Sequence, residues 1–190
     1  GSKRLARILS NVLRIMTAIP TVVYGFASVF LLVPLIRNGF GGSGFSWLTA
    51  SIVLSLMILP TMVLAMDSAF RTIESETEIT SAALGLTKEQ NLALVVLPTS
   101  KKWILSSALL GFGRASGDTL IPTMLAGNAV QYAISPLDAM RTLTAHIGLV
   151  LSSDVGGTAY YSLFVAGGIL LFVSVTANII FRMIRGRSHE

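Results

Sequence analysis

The chain contains no cysteine, only two histidines, and few charges: Asp, Glu, Lys and Arg make up 12% of its 190 residues. Without cysteine there is no disulfide framework, no thiolate metal site and no thiol nucleophile, and only His146 and His189 offer imidazole. No metal site and no catalytic residue are therefore expected. Soluble domains carry about 25% charged residues. Half that share, with 53% hydrophobic residues and a mean hydropathy of +0.74, argues for a lipid solvent and against a water-soluble enzyme. The apolar runs hold Ser and Asp but no histidine or lysine base, so nucleophilic machinery is missing as well. The glycine cluster Gly39 to Gly44 lacks the Lys and Ser/Thr of a nucleotide P-loop and reads as a flexible turn, which leaves the chain without an ATP site of its own.

What the sequence has is long hydrophobic runs. A spanning helix needs roughly 20 mostly apolar residues, and four segments qualify: residues 17–36, 48–66, 103–125 and 160–181. These predict an all-α polytopic membrane protein with one transmembrane domain over residues 17–181. Its net charge of +5 and pI near 10.0 raise the question of nucleic acid. The positions of the basic residues answer it. Lys3, Arg4, Arg7 and Arg14 precede the first run, Arg71, Lys88, Lys101 and Lys102 lie in the 67–102 connection, and Arg182, Arg185 and Arg187 follow the last. The two remaining connections hold only Arg37 and Arg141, so the positive-inside rule places both termini and the 67–102 loop in the cytoplasm, and no nucleic-acid partner is needed.

Gly1-Ser2 reads as a tag remnant with no initiating Met or signal peptide, and the sequence is expected to be part of a longer chain. Within residues 1–16, Leu5, Ile8, Leu9, Val12 and Ile15 share one helical stripe with basic residues elsewhere, which predicts an interfacial helix against membrane lipid. Residues 182–190 form a basic cytoplasmic tail. In the 67–102 loop, Ser75 with Glu78 and Thr87 with Gln90 both match the capping box, which predicts two short helices. Gly85 would end the first and Pro98 would stop the second.

Arg114 lies eleven residues past Trp103, about 16 Å along a helix and near the middle of a roughly 30 Å hydrocarbon layer. A charge there costs about 2.5 to 3.5 kcal/mol on insertion scales and marks a pathway unless a partner neutralises it. Asp118, one turn on, is the expected partner, and Ser107, Gly111, Arg114 and Asp118 fall on one stripe. Arg114 is expected to bind a tetrahedral oxyanion, with Asp118 limiting how tightly it is held and accepting a hydrogen that phosphate carries and sulfate does not. The alternative at this point is a closed Arg114–Asp118 ion pair that only pins helices. Pro122 predicts a kink beside the pair, and Gly113 with Gly117 predicts close helix packing. His146 is expected to be a packing residue on a helix from Pro136 to Leu151, and Trp47 and Trp103 to be interface anchors.

Several motifs carry a resemblance. Ala82-Ala83-Leu84-Gly85, followed after eleven residues by Leu97-Pro98, resembles the cytoplasmic coupling loop of ABC importer permeases. Ile79 stands at that motif's acidic position, with Glu78 adjacent, and Thr80 and Ser81 replace two alanines. Ile19-Pro20-Thr21-Val22-Val23-Tyr24-Gly25, Gly113-Arg114-Ala115-Ser116-Gly117-Asp118-Thr119 and Ala126-Gly127-Asn128 together resemble phosphate-importer permeases of the Pst type, nearer the PstC branch than PstA. Asp118 stands where that family usually has Glu. Two further spans would precede the Ile-Pro motif. The resemblance implies a MetI-like type I permease core with four of its transmembrane helices, in the cytoplasmic (inner) membrane of a bacterium or archaeon. It implies a substrate path through Arg114, Asp118, Thr119 and Ser107, and ATPase coupling through Glu78, Ile79, Thr80, Ser81, Ala82, Gly85, Leu97 and Pro98. The implied partners are a cytoplasmic ATP-binding cassette subunit, which would hold ATP and Mg, a second related permease, an extracytoplasmic phosphate-binding protein, and phosphate itself. Other oxyanions (sulfate, molybdate, tungstate) and a non-transporting membrane scaffold or receptor subunit remain the competing readings.

Overall fold

The computed structural model describes residues 2–153, Gly157 and residues 159–186; Gly1, Arg187 and His189 lie outside the described residues. The regular elements among those residues are all helical, joined by turns and connections, with a single isolated bridge between Gly127 and Met140. Helix α1 (Ser2–Ala18) turns into α2 (Thr21–Phe40) at Pro20, which lacks an amide and sits extended at φ −60°, ψ 142° as the N-cap. The first span therefore starts at Thr21 and not at Thr17. The Tyr24 hydroxyl donates to the Met16 carbonyl at 2.8 Å and fixes this corner. The α1 stripe of Leu5, Ile8, Leu9 and Ile15 is exposed, while Leu13 is buried and α1 packs on α3.

The second span departs most from expectation. Helix α3 (Trp47–Ala83) runs 37 residues without interruption, about 55 Å at 1.5 Å per residue, well beyond a hydrocarbon layer of roughly 30 Å. Ser75 is inside it and does not start a new helix. Its hydroxyl bonds back to the Thr72 carbonyl at 2.8 Å, and Thr72 and Thr77 bond back to Ser68 and Ile73 in the same way. The helix ends in a Schellman turn: Leu86 N–H donates to Ser81 O and Gly85 N–H to Ala82 O, with Gly85 at φ +75°. Thr87 and Gln90 then form the expected capping box at α4 (Lys88–Asn91).

A π-helical turn (Leu92–Val96) and α5 (Leu97–Thr99) continue that helix. Pro98 does not stop it. The missing amide and the ring's clash with the Leu94 carbonyl are absorbed by widening the turn, where Leu97 N–H reaches back five residues to Leu92 O. The chain then bends by 56° between Lys88–Thr99 and α6 (Lys101–Gly117).

The third span is not one helix. α6 ends at Gly117, and α7 (Leu120–Leu125) restarts after a break at Asp118 and Thr119. An outer connection leads to α8 (Leu143–Ser153), shorter and later than the predicted Pro136–Leu151 helix, because residues 134–138 form a tight turn in which Asp138 Oδ2 accepts from the Ile134 and Ser135 amides. These two amides hold the Asp138 carboxyl below the usual carboxylate range. The same turn caps α3, since Trp47 N–H donates to Asp138 O and the Trp47 indole to Ser135 O. Helix α9 (Tyr160–Gly186) is the last span and carries on into the basic tail.

Apolar burial alone does not drive helices together in lipid, so close approach must. A Cβ added at Gly111 would lie 2.5 Å from Met62 Sδ, and one at Gly25 would lie 2.6 Å from Met124 Sδ. These glycines seat α6 on α3 and α2 on α7. Gly113 and Gly117, expected to do so, have nothing within 4 Å. The core of Val33, Val53, Met57, Ile121 and Leu125 lies where α2, α3 and α7 meet.

Candidate functional site

Arg114 sits thirteen residues into α6, about 20 Å from its start. Its side chain is half-buried, and Nη1 donates to the Thr61 hydroxyl of α3 at 2.8 Å. Among the described residues it joins no ion pair. The expected Arg114–Asp118 pair is therefore absent, and so is the closed structural alternative to it. The reason is the break: Asp118 has left the helix, at φ −75° and ψ 125°, so it no longer stands one turn above Arg114.

Asp118 is used locally. Its Oδ1 accepts the Ile121 amide at 3.0 Å and caps the first turn of α7. Pro122 has no amide to return to the Asp118 carbonyl, and the Thr144 hydroxyl of α8 donates to that oxygen instead, at 2.9 Å. The kink expected at Pro122 is thus a full interruption four residues earlier, with its freed acceptor satisfied from another element. Thr119 is half-buried in the same joint; its carbonyl accepts from Thr123, and its methyl faces Gly148 of α8.

The stripe that Ser107 shares with Gly111 and Arg114 does exist, and it faces α3. Ser107 is buried with its hydroxyl on Ile104 O, away from the guanidinium. Beyond the bond to Thr61, Arg114 opens on a cavity of about 570 Å³ between α6 and α9, lined also by Gly113, Ser116, Gly117, Ser174 and Asn178. Asp118 does not line it, so the phosphate–sulfate discrimination expected of Asp118 has no cavity-facing geometry behind it. Thr61, Ser174 and Asn178 were missed from sequence. The signal for the last two is a pair of polar residues one turn apart, with Thr176 between them, in a mostly apolar span.

The cytoplasmic corner is the second candidate site. Asn91 of α4 is buried, and its Oδ1 accepts from Ser81 Oγ at 2.7 Å and more weakly from Thr77 Oγ1 at 3.4 Å, which locks α4 onto the end of α3. Glu78 pairs with Lys88 across the corner at 3.3 Å on an exposed surface. Ile79 is 83% exposed, and Thr80, Ala82, Leu97 and Pro98 are exposed with it. Ser81 is turned inward as part of the lock. The other singled-out residues have local roles: His146 Nε2 hydrogen-bonds Ser162 Oγ at 2.7 Å, tying α8 to α9, and no three His, Asp or Glu come together as a metal group among the described residues.

Residues 1–188 match the family described as "Binding-protein-dependent transport system inner membrane component". Among curated relatives, the "Probable ABC transporter permease protein YqgH" of Bacillus subtilis is 33% identical over 187 residues, covering 95% of this chain and 59% of the relative. The "Phosphate transport system permease protein PstC" of Mesorhizobium japonicum is 29% identical over 189 residues, covering 89% and 58%. The "Probable phosphate transport system permease protein PstC" of Methanocaldococcus jannaschii is 26% identical over 211 residues, covering 98% and 65%. The chain spans about three fifths of the length of the first two of these relatives. No solved structure matches.

Proposed function

Because the chain belongs to the family of binding-protein-dependent transport system inner membrane components, we propose that it is the phosphate-conducting permease part of an ATP-driven importer, with Arg114 as the residue that recognises the anion. One observation carries the reading: Arg114 stands within a spanning bundle, bonded to a neutral hydroxyl and, among the described residues, to no carboxylate, with an open cavity in front of it. A guanidinium so placed keeps its charge uncompensated and has donors left for a tetrahedral oxyanion. The relatives named as phosphate permeases support phosphate as that anion. Asp118 and Thr119 serve by forming the joint that turns α7 away from α6, and Ser107 by seating α6 on α3.

Coupling is assigned to the cytoplasmic corner. Its exposed residues Ile79, Ala82, Leu94 and Leu97 form an apolar-rimmed projection suited to docking on a separate ATP-binding cassette subunit, which would bind ATP and Mg. Ile79, 83% exposed, would contribute apolar contact to that docking. The assembly would be completed by a second related permease and an extracytoplasmic phosphate-binding protein, in the cytoplasmic membrane with the ends of this chain on the cytoplasmic side.

The test is ATP-dependent uptake of labelled phosphate into proteoliposomes holding the full-length permease with its partner subunits. Arg114→Gln removes a charge-assisted contact of about 1.5 to 3 kcal/mol, so uptake at limiting phosphate is expected to fall at least tenfold. Uptake by the mutant equal to the parent would overturn the role of Arg114. Competition of phosphate uptake by excess sulfate, or no phosphate uptake by a competent parent, would move the assignment to another oxyanion or to a scaffold.

A further inference from the structure

Two cavities lie in line along the seam between α6 and α9. The larger, about 570 Å³, holds Arg114 and Ser174; the next, about 160 Å³, holds Ser106 and Arg182; Asn178 lines both. The helices run antiparallel, so eight residues on each, from Arg114 to Ser106 and from Ser174 to Arg182, separate the two cationic ends by about 12 Å. On α9, Ser174, Asn178 and Arg182 recur at steps of four and share one face.

Asn178 is exposed in this chain, its Nδ2 donates to the Ser174 carbonyl, and its Oδ1 has no protein donor among the described residues. A primary amide in a membrane-spanning helix is costly against hydrocarbon and belongs against water, protein or a polar solute. Among the described residues no carboxylate lines either cavity, whereas each holds an arginine. Leucine and phenylalanine side chains make up much of the wall, and the polar groups set among them, Ser106, Ser116, Ser174 and Asn178, together with an arginine at each end, offer donors to a small oxyanion. The positive-inside rule accounts for a cation at the end of α9, and Arg185 already meets that need. It does not account for Ser174 and Asn178 on the same face as Arg182.

We propose that the α6–α9 seam is the inner leg of the anion path, with Arg182 as a second anion-binding residue and Asn178 as the relay between it and Arg114. The proposal rests on the reading of Arg114 given above. Two sites of moderate strength allow passage where one deep site would trap the ion, because conduction requires binding that is weak or shared enough to release.

The experiment measures labelled-phosphate uptake by the full-length complex in proteoliposomes, comparing the parent with Arg182→Gln, Arg182→Lys, Asn178→Leu and Arg114→Gln. Arg182→Gln is expected to lower maximal uptake roughly tenfold with the apparent KM for external phosphate little changed, since loss of one charged contact is of that size. Arg182→Lys, which keeps the charge, restores most of it, and Asn178→Leu falls several-fold. Arg182→Gln and Asn178→Leu both behaving as the parent while Arg114→Gln fails would overturn the seam and leave the Arg114 reading standing. Arg114→Gln behaving as the parent would remove that reading itself. Each variant is also assayed in purely zwitterionic vesicles. A defect confined to vesicles with anionic lipid would mean that Arg182 binds headgroup phosphates, which also overturns the proposal.

Discussion

Asp118 shows how one residue's role turns on backbone conformation. In a continuous helix it would stand beside Arg114 as a counter-ion; at the broken joint it accepts the Ile121 amide and starts α7. The two roles make opposite demands on its charge. Asparagine caps a helix about as well as aspartate, whereas alanine costs typically about 1 kcal/mol. Asp118→Asn is therefore expected to keep phosphate uptake within about twofold of the parent and Asp118→Ala to lose both thermal stability and uptake, because both variants lose the charge and the second alone also loses the cap. Uptake and unfolding of the detergent-solubilised variants check this. If both substitutions abolished uptake without altering stability, the carboxylate charge would matter and the cap would not.

At the level of elements, the joint depends on α8. The Asp118 carbonyl, deprived of a partner by Pro122, takes the Thr144 hydroxyl; a fully buried acceptor left unmet costs about 1 to 3 kcal/mol, and this part-buried one costs toward the lower end. Thr144→Val keeps the shape and removes the donor, so it is expected to lower the unfolding temperature and reduce uptake, while Thr144→Ser restores both; equal stability of the Val and Ser variants would count against the bond. The sequence could not have announced this link. Residues 103–125 are apolar enough for hydropathy to read a single span despite Arg114 and Asp118, and the acceptor freed at the break is met by a bond from 26 residues away. The same limit hid Thr61 as the partner of Arg114 and the α9 residues at the cavity. The long α3 was missed for a different reason: Ser and Thr serve equally as caps and as residues that bond back to the preceding turn. Ser75-x-x-Glu78 therefore matches a helix start that the chain does not use. Where the signal was local and chemically narrow, it was legible: the Gly85 Schellman turn, the Thr87–Gln90 box and the approximate positions of the apolar helices.

At the scale of the whole molecule, α3 is the one element that reaches both candidate sites. It carries Thr61, bonded to Arg114, and 22 residues further on, about 33 Å along an unbroken helix, it ends at the corner locked by Asn91. A helix transmits displacement of its end only while it stays rigid. Ser75 and Glu76 are exposed and lie between the two sites, so replacing both with glycine weakens the helix, to about 1 kcal/mol per residue below alanine, without touching either site. The expected outcome for the Ser75→Gly, Glu76→Gly double variant is an assembly that still retains its ATPase subunit and still hydrolyses ATP, but moves several-fold less phosphate per ATP. The matching double alanine variant should stay close to the parent, since alanine stiffens what glycine loosens. Unchanged phosphate per ATP in the glycine variant would mean that α3 is not the connecting element, and that the bent passage from α4 through Ser100 into α6, the other continuous route from the corner to Arg114, transmits the movement.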